Sequence, residues 1–453
     1  MSGLRFPDGF VWGAATASYQ IEGSTGEDGR GPSIWDTFAA VPDAVTDGHT
    51  GEVACEHYLR YADDVALMSS LGLSAYRFSI AWPRIQPSGS GPVNSRGLDF
   101  YDRLIDELCA AGISPMATLY HWDLPQALQN RGGWAARETA ERFAEYAAVV
   151  AAKFGDRVRS WFTINEPWCA AFLGYASGDH APGITAPAQA FAAAHHLLLG
   201  HGLAAQAIRA AGAGEVSIAL NCTSVRPGSD NDEDIAAVEQ IDGLSNRIWL
   251  EPLLRGEYPD DMLTLAERFT PLWYVKSGDG AIIKQPLDVL GINYYTPTWV
   301  RARRNAQGSP AHPGSEGMDF TAPNGPVTEM GWRVDPTGLT DLLVRLHKDY
   351  EGLPVMITEN GAAYADSAVV DGQVQDVDRV AYLDGHLRAA HAAISAGVDL
   401  RGYLAWSLMD NFEWAFGYTR RFGLVHVDYA TQRRTPKASA DWYRKVITRN
   451  GLA

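Results

Sequence analysis

The chain has 453 residues, 46% hydrophobic and 20% charged, an ordinary globular composition with enough length to bury a large core. Its 37 basic and 54 acidic side chains give a net charge of −17, which disfavours a nucleic-acid or anionic-membrane partner and suits a neutral small molecule. No apolar run reaches the roughly eighteen residues of a membrane-spanning helix, so no span is expected.

In chain order, short runs rich in β-branched and aromatic residues alternate with longer segments of helical period. The strand candidates are residues 10–16, 75–82, 113–122, 160–165, 216–221, 289–295, 355–358 and 402–407. Between them, Ala54, Tyr58, Tyr61, Val65, Met68 and Leu71 step by three or four and mark one apolar helix face. Leu98, Tyr101, Ile105 and Leu108 repeat the pattern, as do Phe143, Tyr146, Val150 and Phe154, and then Leu339, Leu342, Leu343 and Leu346. Gly72, Gly112, Gly155, Gly212 and Gly397 each precede a strand, where a glycine just past a helix end is expected. Eight such alternations predict an α/β protein, a single (β/α)8 TIM barrel over residues 1–453. A doubly wound open sheet gives the same alternation; strand count and length favour the barrel. No linker-like stretch divides the chain, and polar residues 302–324 predict a long surface loop after the sixth strand.

Cys55, Cys109, Cys169 and Cys222 form no Cys-x-x-Cys pair, which argues against zinc and fits reduced thiols in a cytoplasm. Residues 1–8 lack a basic stretch followed by an apolar one, so no secretory leader is expected. The sequon Asn221-Cys222-Thr223 would then never meet the glycosylation machinery. Residues 230–234, acidic and lacking the glycine and glutamate of a calcium loop, predict a solvated turn into a helix. His195, His196 and His201 share one predicted helix but diverge around its axis, so metal binding is not expected there.

Two motifs carry chemistry. Thr163-Ile164-Asn165-Glu166-Pro167 ends the fourth strand, and Ile357-Thr358-Glu359-Asn360-Gly361 ends the seventh. In a barrel the C-terminal strand ends face one mouth, so the two glutamates converge. One such glutamate could be loop decoration; two, each after an apolar strand and beside an Asn, point to a working pair. Paired carboxylates about 5 Å apart cleave glycosidic bonds with retention, whereas a wider gap admits water and inverts. Fourteen Trp and nineteen Tyr supply faces of the kind that stack on sugar rings.

These two motifs, with residues 10–23, 76–84, 120–123, 291–295 and 406–414, resemble glycoside hydrolase family 1 over about residues 5–445. That family is the β-glucosidase and 6-phospho-β-glucosidase group. The resemblance implies a retaining β-glycosidase needing no metal or organic cofactor, with Glu166 as acid/base and Glu359 as nucleophile. It implies a glycone pocket from Gln20, His121, Asn165, Tyr295, Trp406, Glu413 and Trp414, with Arg77 and Asn293 in support. A lone His121 or Trp406 would more often be core; their motif contexts make them binding candidates. Trp168, His180 and Trp332 are candidates for the aglycone side, where loop packing explains them nearly as well. Cys169, beside the acid/base motif, reads as wall. Relatives that use 6-phosphorylated sugars carry Ser at the position of Glu413, and a carboxylate there repels phosphate, so a β-D-glucoside without phosphate is implied. β-Galactosidase or β-fucosidase activity of the same site, transglycosylation and a non-catalytic sugar-binding role are the alternatives. Oligomeric state is not legible.

Overall fold

The computed structural model describes residues 3–366 and 372–453. Eight parallel strands close into a barrel: β1 (Val11–Ala15), β2 (Ala75–Ser79), β3 (Ser114–Tyr120), β4 (Ser160–Asn165), β5 (Glu215–Leu220), β6 (Leu290–Asn293), β7 (Val355–Asn360) and β8 (Leu400–Trp406). Each strand pairs with the next in sequence, and β8 pairs with β1. The strands are buried almost throughout, as parallel strands covered on both faces must be, and this explains their continuous apolar runs.

The strand boundaries differ from expectation where local chemistry intervenes. The second stops at Ser79, because Trp82–Ile85 turns helical with Pro83 in its first turn. The seventh runs on through Glu359 and Asn360. All four expected helices form: His57–Ser70, Ser95–Ala110, Arg137–Phe154 and Thr337–Asp349. Gly72, Gly112, Gly212 and Gly397 have the positive φ of a residue just past a helix end. Gly155 instead keeps φ −63°, and its glycine serves close packing: a Cβ there would meet the Ala213 Cβ at 2.7 Å.

The expected loop at residues 302–324 is partly sheet. Thr298–Ala302 pairs antiparallel with Met318–Asp319 and parallel with Val225–Pro227. The acidic run does lead into a helix, Asp232–Asp242, capped by Asn231, but Asp234 is buried and accepts from the Ala302 amide at 2.7 Å. At the other end of the chain, Leu4–Arg5 pairs with Gly451–Leu452, and Trp12 Nε1 donates to Asn450 Oδ1 at 2.9 Å. No helix of the described residues is long and apolar enough to cross a membrane.

Candidate active site

Both glutamates stand at the C-terminal rim. Glu166 follows β4 with φ 45°, a left-handed backbone uncommon for a residue bearing a Cβ and a mark of stored strain. The chain then winds into the wide π-helix Cys169–Ser177, a geometry frequent at functional sites. Pairing of β4 with β5 shifts register between Phe162 and Asn165, and that of β7 with β6 between Ile357 and Glu359. Such irregularities re-aim side chains beside a site.

A hydrogen-bond chain joins the two carboxyls. Arg77 Nη1 donates to Glu359 Oε1 at 2.7 Å, and the Tyr295 hydroxyl donates to Oε2 at 2.6 Å. Arg77 Nη2 donates to Asn165 Oδ1 at 2.6 Å. Asn293 Nδ2 donates to the same Oδ1 at 2.9 Å and to Glu166 Oε1 at 2.7 Å, oriented by the Thr358 hydroxyl on its Oδ1 at 2.6 Å. The Cys169 thiol donates to Glu166 Oε2 at 3.2 Å.

These neighbours divide the charge. Burial pushes Glu166 up to about 8, and the charge of Glu359 adds to the shift, while its own donors, Asn293 and Cys169, are neutral. Burial also raises Glu359, but the Arg77 guanidinium and the Tyr295 hydroxyl hold against it. The charge of Glu359 disfavours a second charge on Glu166, so the acid without the arginine is the one that holds a proton more readily.

Both glutamates line a cavity of about 880 Å³ together with His121, Asn293, Tyr295, Trp406, Glu413 and Trp414. The aglycone candidates Trp168, His180 and Trp332 line it too. Gln20, Asn165 and Arg77 bond to the wall: Gln20 to the Phe412 carbonyl beside Glu413, Asn165 to His121 and Arg77 to Glu359. Gln20 spends both amide hydrogens on Asn411 Oδ1 and the Phe412 carbonyl, leaving a buried, unpartnered Oε1 that can only accept. Asn165 Nδ2 donates to His121 Nε2 at 3.0 Å. Burial, then the charge of Arg77, keeps that ring neutral, so its unpartnered Nδ1 bears the proton. Glu413, also pushed up to about 8 by burial and by the other two glutamates, presents an unpartnered Oε2.

Aromatic rings cover the remaining wall. Trp414 packs 4.6 Å from Trp122 and 4.5 Å from Trp35, and His180 lies 5.3 Å from Trp122. Trp168 faces His312 at 5.0 Å, and Trp332 faces Tyr295 at 5.3 Å. His312 escapes sequence reasoning, because nothing in a polar Gly/Pro-rich stretch marks it. Cys169, read as wall, touches the carboxyl itself; its position three residues after Glu166 was the available signal. The histidines of helix Pro187–Ala210 are structural: His195 meets Asp279, His196 the Trp134 carbonyl and His201 the Thr163 hydroxyl.

A parallel barrel whose rim holds one carboxyl paired with an arginine and another with neutral donors only, in an aromatic cavity, is equipped for nucleophilic and general-acid chemistry on a small neutral substrate. The chain belongs to glycosyl hydrolase family 1, whose profile matches residues 3–452. It is 54% identical to "Thermostable beta-glucosidase B" of Thermobispora bispora, over 99% of this chain and 92% of that one. It is 49% identical to a "Bifunctional beta-D-glucosidase/beta-D-fucosidase" of Bifidobacterium breve, over 98% of each. The solved "Family 1 b-glucosidase from Thermotoga maritima" superposes with a TM-score of 0.95 at 46% identity, covering 100% of both chains.

Proposed function

We propose that this protein is a retaining β-glucosidase acting on terminal, non-phosphorylated β-D-glucosides such as cellobiose and aryl glucosides. The observation that carries the reading is the unequal set of partners of Glu166 and Glu359: Arg77 and Tyr295 hold Glu359, while Glu166 has only neutral donors. Glu359 attacks the anomeric carbon while Glu166 passes its proton to the departing oxygen; the C–O bond breaks and a glycosyl ester forms. Esterification removes the charge on Glu359, so the pKa of Glu166 falls. Glu166 then takes a proton from water, whose oxygen displaces Glu359.

In this reading the free Gln20 Oε1, His121 Nδ1–H and Glu413 Oε2 take the sugar hydroxyls, and Asn165 has one N–H left for the 2-hydroxyl. Trp406 and Trp414 supply stacking faces, while Trp168, His180 and Trp332 face the aglycone. Glu413 supports a glycone without phosphate, because a carboxyl there, neutral or ionised, offers no cation to hold one. The bifunctional Bifidobacterium breve relative supports a second activity toward β-D-fucosides. All four cysteines are free thiols, which supports a cytoplasmic location; activity confined to the periplasmic or secreted fraction of cells would refute that.

An NMR time course on cellobiose, aryl β-glucoside and aryl β-fucoside tests the reaction. The β-anomer should appear first, and Glu359→Gln should lower kcat at least about a thousandfold. A first-formed α-anomer would sink the retaining mechanism.

A further inference from the structure

We infer that Cys169 is a positioning residue for Glu166: its thiol holds Oε2 and selectively supports the ionised form of that carboxyl. The inference deepens the proposed function, because it rests on Glu166 as the acid/base. The geometry is specific. Cys169 is buried, lines the cavity beside Glu166 and Asn221, and has its Sγ 3.2 Å from Glu166 Oε2. Asn221 Nδ2 reaches the same sulfur at 3.6 Å as a donor. With one of its acceptor directions taken by Asn221, the thiol is set to turn its own hydrogen toward Glu166.

The two oxygens of Glu166 are thereby distinguished. Oε1 faces Asn293 Nδ2, which can only donate, because the carbonyl end of that amide is tied to the Thr358 hydroxyl. A proton on Oε1 would face another N–H, so the acid form carries its proton on Oε2. Oε2 is therefore the atom that delivers the proton to the leaving oxygen, and it is the atom the thiol touches. In the acid form the thiol has no carboxylate to serve. In the base form it donates to the newly charged Oε2, and a hydrogen bond made only to the charged state favours that state.

The other ionisable groups that act on Glu166 or feel its charge are Glu359, Arg77, Tyr295 and Glu413. Glu359 raises its pKa and Arg77 lowers it, and neither depends on Cys169. Removing the thiol should therefore act first on the titration of Glu166, and on these neighbours only through its charge.

The experiment compares wild type, Cys169→Ala, Cys169→Ser and Asn221→Ala on an unactivated alkyl β-glucoside and on 2,4-dinitrophenyl β-glucoside. The first substrate needs the acid; the second is limited by base-assisted release of the glycosyl-enzyme. For Cys169→Ala, the basic limb of kcat/KM on the alkyl glucoside and the acidic limb of kcat on the dinitrophenyl glucoside should both shift upward. The expected shift is about half a pH unit to one unit, the size of a modest hydrogen bond to a charged group. Cys169→Ser should return both limbs to or below their wild-type positions, and Asn221→Ala should give a smaller upward shift. Unmoved limbs with a uniform loss of rate, or a serine variant that behaves like alanine, would overturn the inference and leave the sulfur as packing. Glu166→Gln that lowered kcat/KM equally on the alkyl and dinitrophenyl glucosides would instead show that the acid/base assignment had failed.

Discussion

Arg77 gives one of two buried carboxyls a charged partner and leaves the other to neutral donors. It pairs with Glu359 and touches Glu166 only through Asn165 and Asn293, so a single guanidinium breaks the symmetry of the pair. Tyr295 reinforces the choice from the other oxygen of Glu359. Tyr295→Phe removes a donor from the ionised form, so the pKa of Glu359 rises. The acidic limb of kcat/KM should move to higher pH, and kcat should fall about ten- to a hundredfold, the value of a hydrogen bond to a charged group. A pH–rate series with the phenylalanine variant checks this; an unshifted acidic limb would remove Tyr295 from the control of Glu359. At this scale the sequence is readable where a motif fixes a residue to a strand end, as for Glu166 and Glu359. It is unreadable for His312, whose place depends on how a loop folds back, and for the free Oε1 of Gln20, whose donors are spent on the Asn411 side chain and the Phe412 carbonyl far along the chain.

The barrel strands do more than carry these side chains; their spacing sets the pocket. Just past the end of β7, the backbone at Gly361 runs so close to β8 that a Cβ would lie 1.7 Å from the Trp406 carbonyl oxygen. Two positions upstream is Glu359, and the strand pressed against it ends on Trp406, a wall of the cavity. Gly361→Ala must therefore separate two strands that each present a pocket residue. Such overpacking against backbone costs about 1–3 kcal/mol or more. We expect a lower melting temperature and a loss in kcat/KM of at least about tenfold, measured by thermal unfolding and by aryl glucoside hydrolysis. Full activity with only lowered stability would show that strand spacing here does not set the pocket. The eight strands are legible in the sequence because burial on both faces leaves continuous apolar runs. Their ends are not: Pro83 cuts one short, and the extension of β7 through Glu359 rests on pairing with β6 and β8. The short sheet at Thr298–Ala302 is invisible for the same reason, since its partners lie far away in the chain.

Across the whole molecule, the loops behind the site are fastened by a buried set of charges drawn from distant segments. Lys437, fully buried, donates to Asp366 and, at 2.7 Å, to Asp410. Arg379 reaches Asp366 at 2.9 Å and Asp376 at 2.5 Å, and Arg421 reaches Asp410 at 2.6 Å. The set ties the segment after β7, the start of helix Val377–Ser395, the segment after β8 and the entry to helix Ala438–Arg449. Sequence reading puts Asp410 inside a motif at the site, yet its carboxylate faces away into this network. Charge pairing across dozens of residues has no periodicity by which it could be read. Lys437→Met leaves two buried carboxylates one cation short and should cost about 3–5 kcal/mol. Burial raises Asp410, but Lys437 and Arg421 outweigh it and hold the carboxyl below its ordinary value. The stability it contributes is therefore present above the unfolded aspartate pKa, about 4, and is lost as pH falls through the folded value. Without Lys437 the folded value rises toward or past the unfolded one, so the variant's deficit should be largest near pH 7 and shrink toward pH 4. Denaturant unfolding at both pH values measures this, and a deficit that stayed constant with pH would mean that Lys437 acts through packing of its alkyl chain and not through its charge.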